Sequence, residues 1–350
     1  GRTESTGKAP AAIVDLKAAV RYLKANDKAM PGDAEKIISN GTSAGGAMSA
    51  LLGATADQKD YEKYLKALGA ADGSDKIFAV SAYCPITDLD HADMAYEWQF
   101  NGINDYKKMN ISMLDYRVKR ELVAGTLTDD EKKLSDLLKP LYPAYLNSLN
   151  LKSPEGKPLT LDAQGNGSFK NHIAGLLAQS AQIQLDASKD LSDRKWLTVR
   201  NGKVVSVDFD AYAKAAGRQK TPPAFDGVDL SAGENQLFGT DTVDKRHFTA
   251  FSMQHNTAAN AEIADEETVK IMNPLNYIGK PGVNLPQNWR IRVGTNDRDT
   301  SLAVSAILTA KLQNNGQTVD YALPWDVGHG GDYDLDELFA WMKQVSSSAK

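Results

Sequence analysis

The chain has 350 residues, 42% of them hydrophobic and 24% charged, with a formal net charge of −5. That length supports one large core or two modest ones in a soluble, globular composition. The absence of a basic cluster argues against nucleic acid, and no apolar run approaches the ~20 residues of a membrane span.

Residues 10–25 read as a helix. Pro10 suits its first turn, and Ile13, Leu16, Val20 and Leu23 share a face. The β-rich run 36–40 leads into Gly41-Thr42-Ser43-Ala44-Gly45, and small, helix-forming residues follow to Thr55. A G-x-S-x-G between strand and helix is the setting of a nucleophile elbow. The tight turn projects the Ser43 hydroxyl clear of the backbone, and the Ala44 amide at the helix N-terminus faces developing negative charge. The plainer reading is a glycine-rich turn that caps an ordinary helix. Residues 77–84 are mostly apolar, as expected of a parallel strand covered on both faces. Cys84 ends that run and is the only cysteine, which excludes an internal disulfide. It reads as a small core residue, because no basic residue lies nearby in sequence to activate it.

From about residue 88 to 267 the strand–helix rhythm stops. Thr128-Asp129-Asp130-Glu131 is a capping box that opens a helix. Residues 169–183 look helical, and 196–209 form a hairpin candidate that turns at Asn201-Gly202. The stretch 217–239, rich in Gly, Pro and Asp, reads as ordered loop. The rhythm then resumes with a strand at 289–295, a helix at 301–312, a strand at 318–325 and a closing helix at 335–345. Such alternation argues an open, mostly parallel α/β sheet with helices on both faces. The chain therefore divides into a first core segment at 1–87, an insertion at 88–267 and a second core segment at 268–350.

A serine nucleophile needs a base, and the base needs an orienting acid. His91, His172, His247 and His255 read as structural or surface histidines. His329 lies in Val327-Gly328-His329-Gly330-Gly331, after the last strand and before the last helix, which is the final slot in the order serine, acid, histidine. The acid should follow the preceding strand, where Asn296-Asp297-Arg298-Asp299 offers two candidates. Asp297 comes first after that strand and is the choice; Asp299 is near enough to line the same pocket. Both would otherwise pass as loop-capping aspartates.

On Gly41-Thr42-Ser43-Ala44-Gly45-Gly46, Asn296-Asp297-Arg298-Asp299 and Gly328-His329-Gly330-Gly331, the chain resembles the bacterial tannase/feruloyl esterase family of α/β-hydrolases. The resemblance runs over most of the chain. It implies an α/β-hydrolase fold with the insertion as a lid domain, Ser43 as nucleophile, His329 as base and Asp297 as its partner. It also implies that Lys220, Glu234 and Asp299 bind the ring of a galloyl ester. Carboxylates accept hydrogen bonds from phenolic hydroxyls, and an ammonium donates to their oxygens. The substrate implied is a small aromatic ester, with no metal or cofactor required. The alternatives are a feruloyl or chlorogenate esterase on the same scaffold, a prolyl-oligopeptidase-type serine peptidase, and a degenerate module that binds aromatic ligands without turnover.

Only 42 residues precede Ser43, whereas this fold normally places further strands ahead of the elbow, one of whose loops gives a second oxyanion amide. The expectation is that those strands belong to an N-terminal fragment of the same precursor. The compartment is not readable from this chain.

Overall fold

In the computed structural model, which describes residues 6–114 and 117–348, the helix Ala11–Ala25 precedes strand β1 (Ile38–Thr42). The helix Ala44–Ala54 follows β1, and β2 (Ala79–Tyr83) completes the first crossover. The chain then leaves the sheet through the helix Leu89–Phe100. It forms a hairpin of β3 (Asp105–Leu114) and β4 (Arg117–Thr126), then the helices Asp129–Leu138 and Ser168–Asp186, then a hairpin of β5 (Leu197–Arg200) and β6 (Lys203–Val207). It returns at β7 (Asn288–Arg292), crosses by the helix Leu302–Asn314 to β8 (Thr318–Ala322), and ends in the helix Leu335–Ser348.

β1, β2, β7 and β8 form a four-stranded sheet in that order, every pair parallel. The fold is that of an α/β-hydrolase. β2 is buried at every position, which explains its mostly apolar sequence. Ala50, Leu51 and Ala54 of the following helix and Trp289 and Ile291 of β7 are all fully buried, so the sheet and its helices share one core. The register aligns Thr42 with Tyr83, Tyr83 with Arg292, and Arg292 with Ala322. The carboxyl ends of all four strands are therefore level, and the loops that leave them meet along one edge, where open α/β sheets bind ligands.

The chain between β2 and β7 adds no strand to this sheet. The helix Leu89–Phe100 is mostly buried, and its Glu97 forms a fully buried pair with Arg218 at 2.6 Å. The hairpin at Asn201-Gly202 is present, with φ of 51° and 71° at the two turn residues, the positive pair that a tight hairpin turn requires. The β3–β4 hairpin has no counterpart in the sequence reading. β4 is exposed on both faces along almost its whole length, so the alternation that marks a half-buried strand never forms. The stretch 217–239, expected as loop, contains the short helix Gly233–Leu237.

Candidate active site

Ser43 sits immediately after β1 with φ 60° and ψ −115°, a strained conformation for a residue with a side chain. Its amide donates to the Tyr83 carbonyl at 2.9 Å, which pins the turn to the end of β2. Gly41 is required here: a Cβ on it would lie 2.2 Å from the Gly45 carbonyl oxygen. Ala44 opens the helix, with its amide among the four at a helix start that lack an intrahelical acceptor.

The loops after β7 and β8 are laced together. Asn296 N donates to Val327 O at 2.9 Å, and Asp326 N donates to Thr295 Oγ1 at 2.8 Å. Gly331 packs directly on Thr42, since a Cβ there would lie 2.0 Å from Thr42 Oγ1. This contact brings the histidine loop onto the elbow. His329 Nε2 lies 2.7 Å from Ser43 Oγ, and its Nδ1 lies 2.8 Å from Asp297 Oδ2. Asp297 is fully buried, and its second oxygen accepts from the Asp299 amide at 2.9 Å. A buried carboxylate at Nδ1 fixes the tautomer that leaves Nε2 free to accept the serine proton. Burial works against an imidazolium at His329. The Asp297 hydrogen bond, the Cys84 thiol and the charges of Asp297 and Asp299 together outweigh it, and the group is raised to about 10.

Asp299 Oδ2 is 3.3 Å from His329 Nε2 and 3.3 Å from Lys220 Nζ. Lys220 also lies over the Phe225 ring, 4.0 Å from its centroid. Burial pushes the Glu234 carboxyl up, the Lys220 ammonium pulls it back, and the Asp299 charge pushes it up again. The structure thus brings all of Ser43, Asp297, His329, Asp299, Lys220 and Glu234 into one neighbourhood.

Sequence reasoning missed the groups that hold this neighbourhood together. Tyr96 Oη accepts from the Gln219 and Lys220 amides at 3.0 and 2.9 Å and donates to Arg298 O at 2.8 Å, so it ties the Lys220 segment to the Asp297 loop. Asp93 accepts from Phe225 N at 2.6 Å; burial and then the Asp226 charge push its carboxyl up to about 8. Asp226 in turn collects Asn235, His247 and Thr249. No motif marks these residues in sequence. Cys84 has a neighbour that sequence spacing does not show. It is buried as expected, but its Sγ lies 4.0 Å from His329 Nε2 and 3.4 Å from Gly330 O, so a basic group distant in sequence is its neighbour in space.

Two sets of described side chains lie close enough to hold an ion: Cys84, Asp297 and His329, and Asp88, Asp90 and His91. The first draws on the serine–histidine–aspartate array itself. In the second, His91 Nδ1 lies 2.7 Å from Asp88, while Tyr145 and Asn273 donate to Asp88 and Asn273 also donates to Asp90. Hydrogen bonding accounts for both sets. No described helix is long and apolar enough to cross a membrane.

Residues 2–128 match the family model described as BD-FAE. The fold is similar to the crystal structure of a tannase from Lactobacillus plantarum, with a TM-score of 0.94 and 47% identity over 97% of this chain and 73% of that one. It is similar to the Fusobacterium nucleatum tannase at 0.92 and 52%, with the same coverage. A tannin acyl hydrolase solved in complex with ethyl gallate matches at 0.90 and 47%, over 97% of this chain and 72% of that one. No curated protein matches the chain.

Proposed function

The chain belongs to the tannase family of α/β-hydrolases, and on that footing we propose that it hydrolyses galloyl esters through an acyl-enzyme on Ser43. The observation that carries this reading is the alignment of Ser43 Oγ, His329 and Asp297 through contacts of 2.7 and 2.8 Å. His329 Nε2 takes the serine proton as Oγ attacks the ester carbonyl, and Asp297 stabilises the imidazolium that forms. The Ala44 amide faces the oxyanion. His329 then returns the proton to the departing alcohol. Water, activated by the same nitrogen, cleaves the acyl-enzyme and releases the aromatic acid. Every step is proton and acyl transfer among these side chains.

Lys220, Glu234 and Asp299 supply one cationic donor and two carboxylate groups for the ring hydroxyls of the acyl group. A ferulate ring keeps one free hydroxyl; its methoxy oxygen can only accept and its third position carries hydrogen, so one of the two carboxylates would be left unpaired. Gallate is therefore the preferred reading over ferulate. The family is one of carboxylic ester hydrolases, so the peptidase and the binding-module readings give way. Residues 88–267, which carry Lys220 and Glu234, serve as the lid.

Replacing Ser43 by Ala tests the mechanism. Methyl gallate hydrolysis should fall by about 10⁴-fold or more, with an unchanged circular dichroism spectrum. Activity retained in a folded variant would overturn the assignment of the nucleophile.

A further inference from the structure

Parallel strands covered on both faces are normally apolar, yet one face of this sheet carries a polar row. It runs from Asn40 of β1 through Ser81 and Tyr83 of β2 to Arg290 of β7, which the register and the alternation of side chains put on the same side. Arg290 is 1% exposed and Tyr83 is fully buried. A buried cation is costly to hold, and a well-packed apolar residue in its place is often neutral or better for stability. Fold stability alone therefore does not account for Arg290.

The row meets the chain that follows His329. Ser81 Oγ donates to Asn40 Oδ1 at 2.8 Å, and Asn40 Nδ2 donates to Asp332 Oδ1 at 3.1 Å. Arg290 Nη1 donates to Tyr83 Oη at 3.0 Å. The Tyr83 hydroxyl then donates to one oxygen of Asp334, and Arg290 Nη2 donates to the other. Burial, and then the Asp334 contact, push the Tyr83 phenol up to about 12, so the hydroxyl keeps the proton it donates. Its ring packs edge-on against Tyr333, with 5.3 Å between centroids. Tyr83 thus holds both partners of the proton transfer. Its carbonyl takes the Ser43 amide at 2.9 Å, and its side chain takes Asp334, just beyond His329. Gly330 and Gly331 lie between His329 and Asp334. Glycine restrains the backbone least, so the place of His329 depends on what anchors the far end of this segment.

We propose that Tyr83, Arg290 and Asp334 are positioning residues that keep His329 Nε2 within reach of Ser43 Oγ, an inference that rests on the reading of Ser43 as nucleophile and His329 as base. They act through the segment that carries His329 and leave the ring-binding groups alone. A misplacement of about 1 Å between reacting groups costs on the order of 10²-fold in rate, so loosening this anchor acts on kcat and spares KM.

Tyr83→Phe removes one hydroxyl and leaves the ring in place; Asp334→Ala removes the acceptor that Tyr83 and Arg290 share. Active sites are counted by labelling to completion with a fluorophosphonate, so that unfolded protein drops out of the comparison. Per labelled site, each variant should lower kcat by about tenfold or more on both methyl gallate and p-nitrophenyl acetate. KM for methyl gallate should stay within about twofold of the unmodified enzyme. The rate of labelling should fall with kcat, because that reaction needs the same proton removed from Ser43 and no aromatic ring. Asp334→Asn keeps an acceptor for Tyr83 and should recover about threefold or more of the kcat lost in Asp334→Ala. A purely structural role would lower the urea midpoint and leave kcat per labelled site unchanged. That result in both Tyr83→Phe and Asp334→Ala, or a raised KM with kcat intact, would overturn the proposal. Failure of the unmodified enzyme to take the label would instead remove the underlying serine reading.

Discussion

At His329, three groups compete for one nitrogen. Nε2 faces the Ser43 hydroxyl at 2.7 Å, the Asp299 carboxylate at 3.3 Å and the Cys84 thiol at 4.0 Å. Burial disfavours the imidazolium, but the Asp297 hydrogen bond, the Cys84 contact and the charges of Asp297 and Asp299 together raise the group to about 10. A base must be deprotonated to act, so activity of the free enzyme should climb with pH and be lost as pH falls through that raised value. Asp299→Asn removes one of the charges that favour the proton. On p-nitrophenyl acetate, whose acyl group has no ring for Asp299 to bind, the acidic limb of the kcat/KM profile should move down by roughly one pH unit. The same variant should lose activity on methyl gallate at every pH, because a hydroxyl acceptor is weakened. An unmoved limb would mean that Asp299 acts on the ring alone. Ser43, Asp297 and His329 were legible in sequence because each occupies a fixed slot after a strand. Asp299 was legible only as a neighbour; its contact with Nε2 depends on how the loop after β7 folds back.

At the level of elements, the site depends on how the Lys220 segment is fastened to the sheet. Three fastenings do this. Arg218 bonds Glu97 and the Ile103 and Phe100 carbonyls; Asp93 takes the amides of Phe225 and Asp226; Tyr96 joins Gln219 and Lys220 to Arg298. All three originate on the helix Leu89–Phe100 or bond it directly. Tyr96→Phe leaves two amides without an acceptor at a cost of about 1–3 kcal/mol and frees Lys220 to drift from Asp299. The expected result is a several-fold rise in KM for methyl gallate, with kcat on p-nitrophenyl acetate unchanged. A parallel fall in both would point to damage at the elbow instead. This layer was hidden in sequence because a buried polar network has no period. Asp93, Tyr96 and Glu97 sit on one helix with no motif among them, and Asp226 lies in a stretch that reads only as loop. Lys220 and Glu234 were reachable solely through family resemblance, since residue type and spacing leave them as ordinary loop charges.

Across the whole molecule, the level strand ends do the assembling. β2 was legible because a strand buried on both faces is written as a mostly apolar run; β7, which carries Arg290 and Arg292, was legible from its place in the resumed strand–helix rhythm. β1, with Ser39, Asn40 and Gly41 at its centre, was legible only from the motif that follows it. The β3–β4 hairpin went unread because it has no buried face to impose a pattern. The helix Ala11–Ala25 is held to the first crossover by a buried cluster in which Asp75 takes Lys17 at 3.1 Å and Arg21 at 3.2 Å. Lys17 and Asp75 are 0% and 1% exposed in their side chains, so removing the acid strands one cation in the interior. Asp75→Ala should therefore lower unfolding free energy by about 3–5 kcal/mol in urea titration, with little change in KM in the protein that remains folded. A cost under about 1 kcal/mol would place the cluster among surface-type pairs.

Cys84 has a further consequence. The chain has one thiol, 1% exposed and seated beside the His329 imidazole. A disulfide reagent can reach it only when the loops along the strand ends part, and the attached group then fills the space next to His329. Each labelling event therefore records one opening of the site and silences that molecule. Uptake of label and loss of turnover should share a single time course, which makes the molecule a clock for its own local breathing.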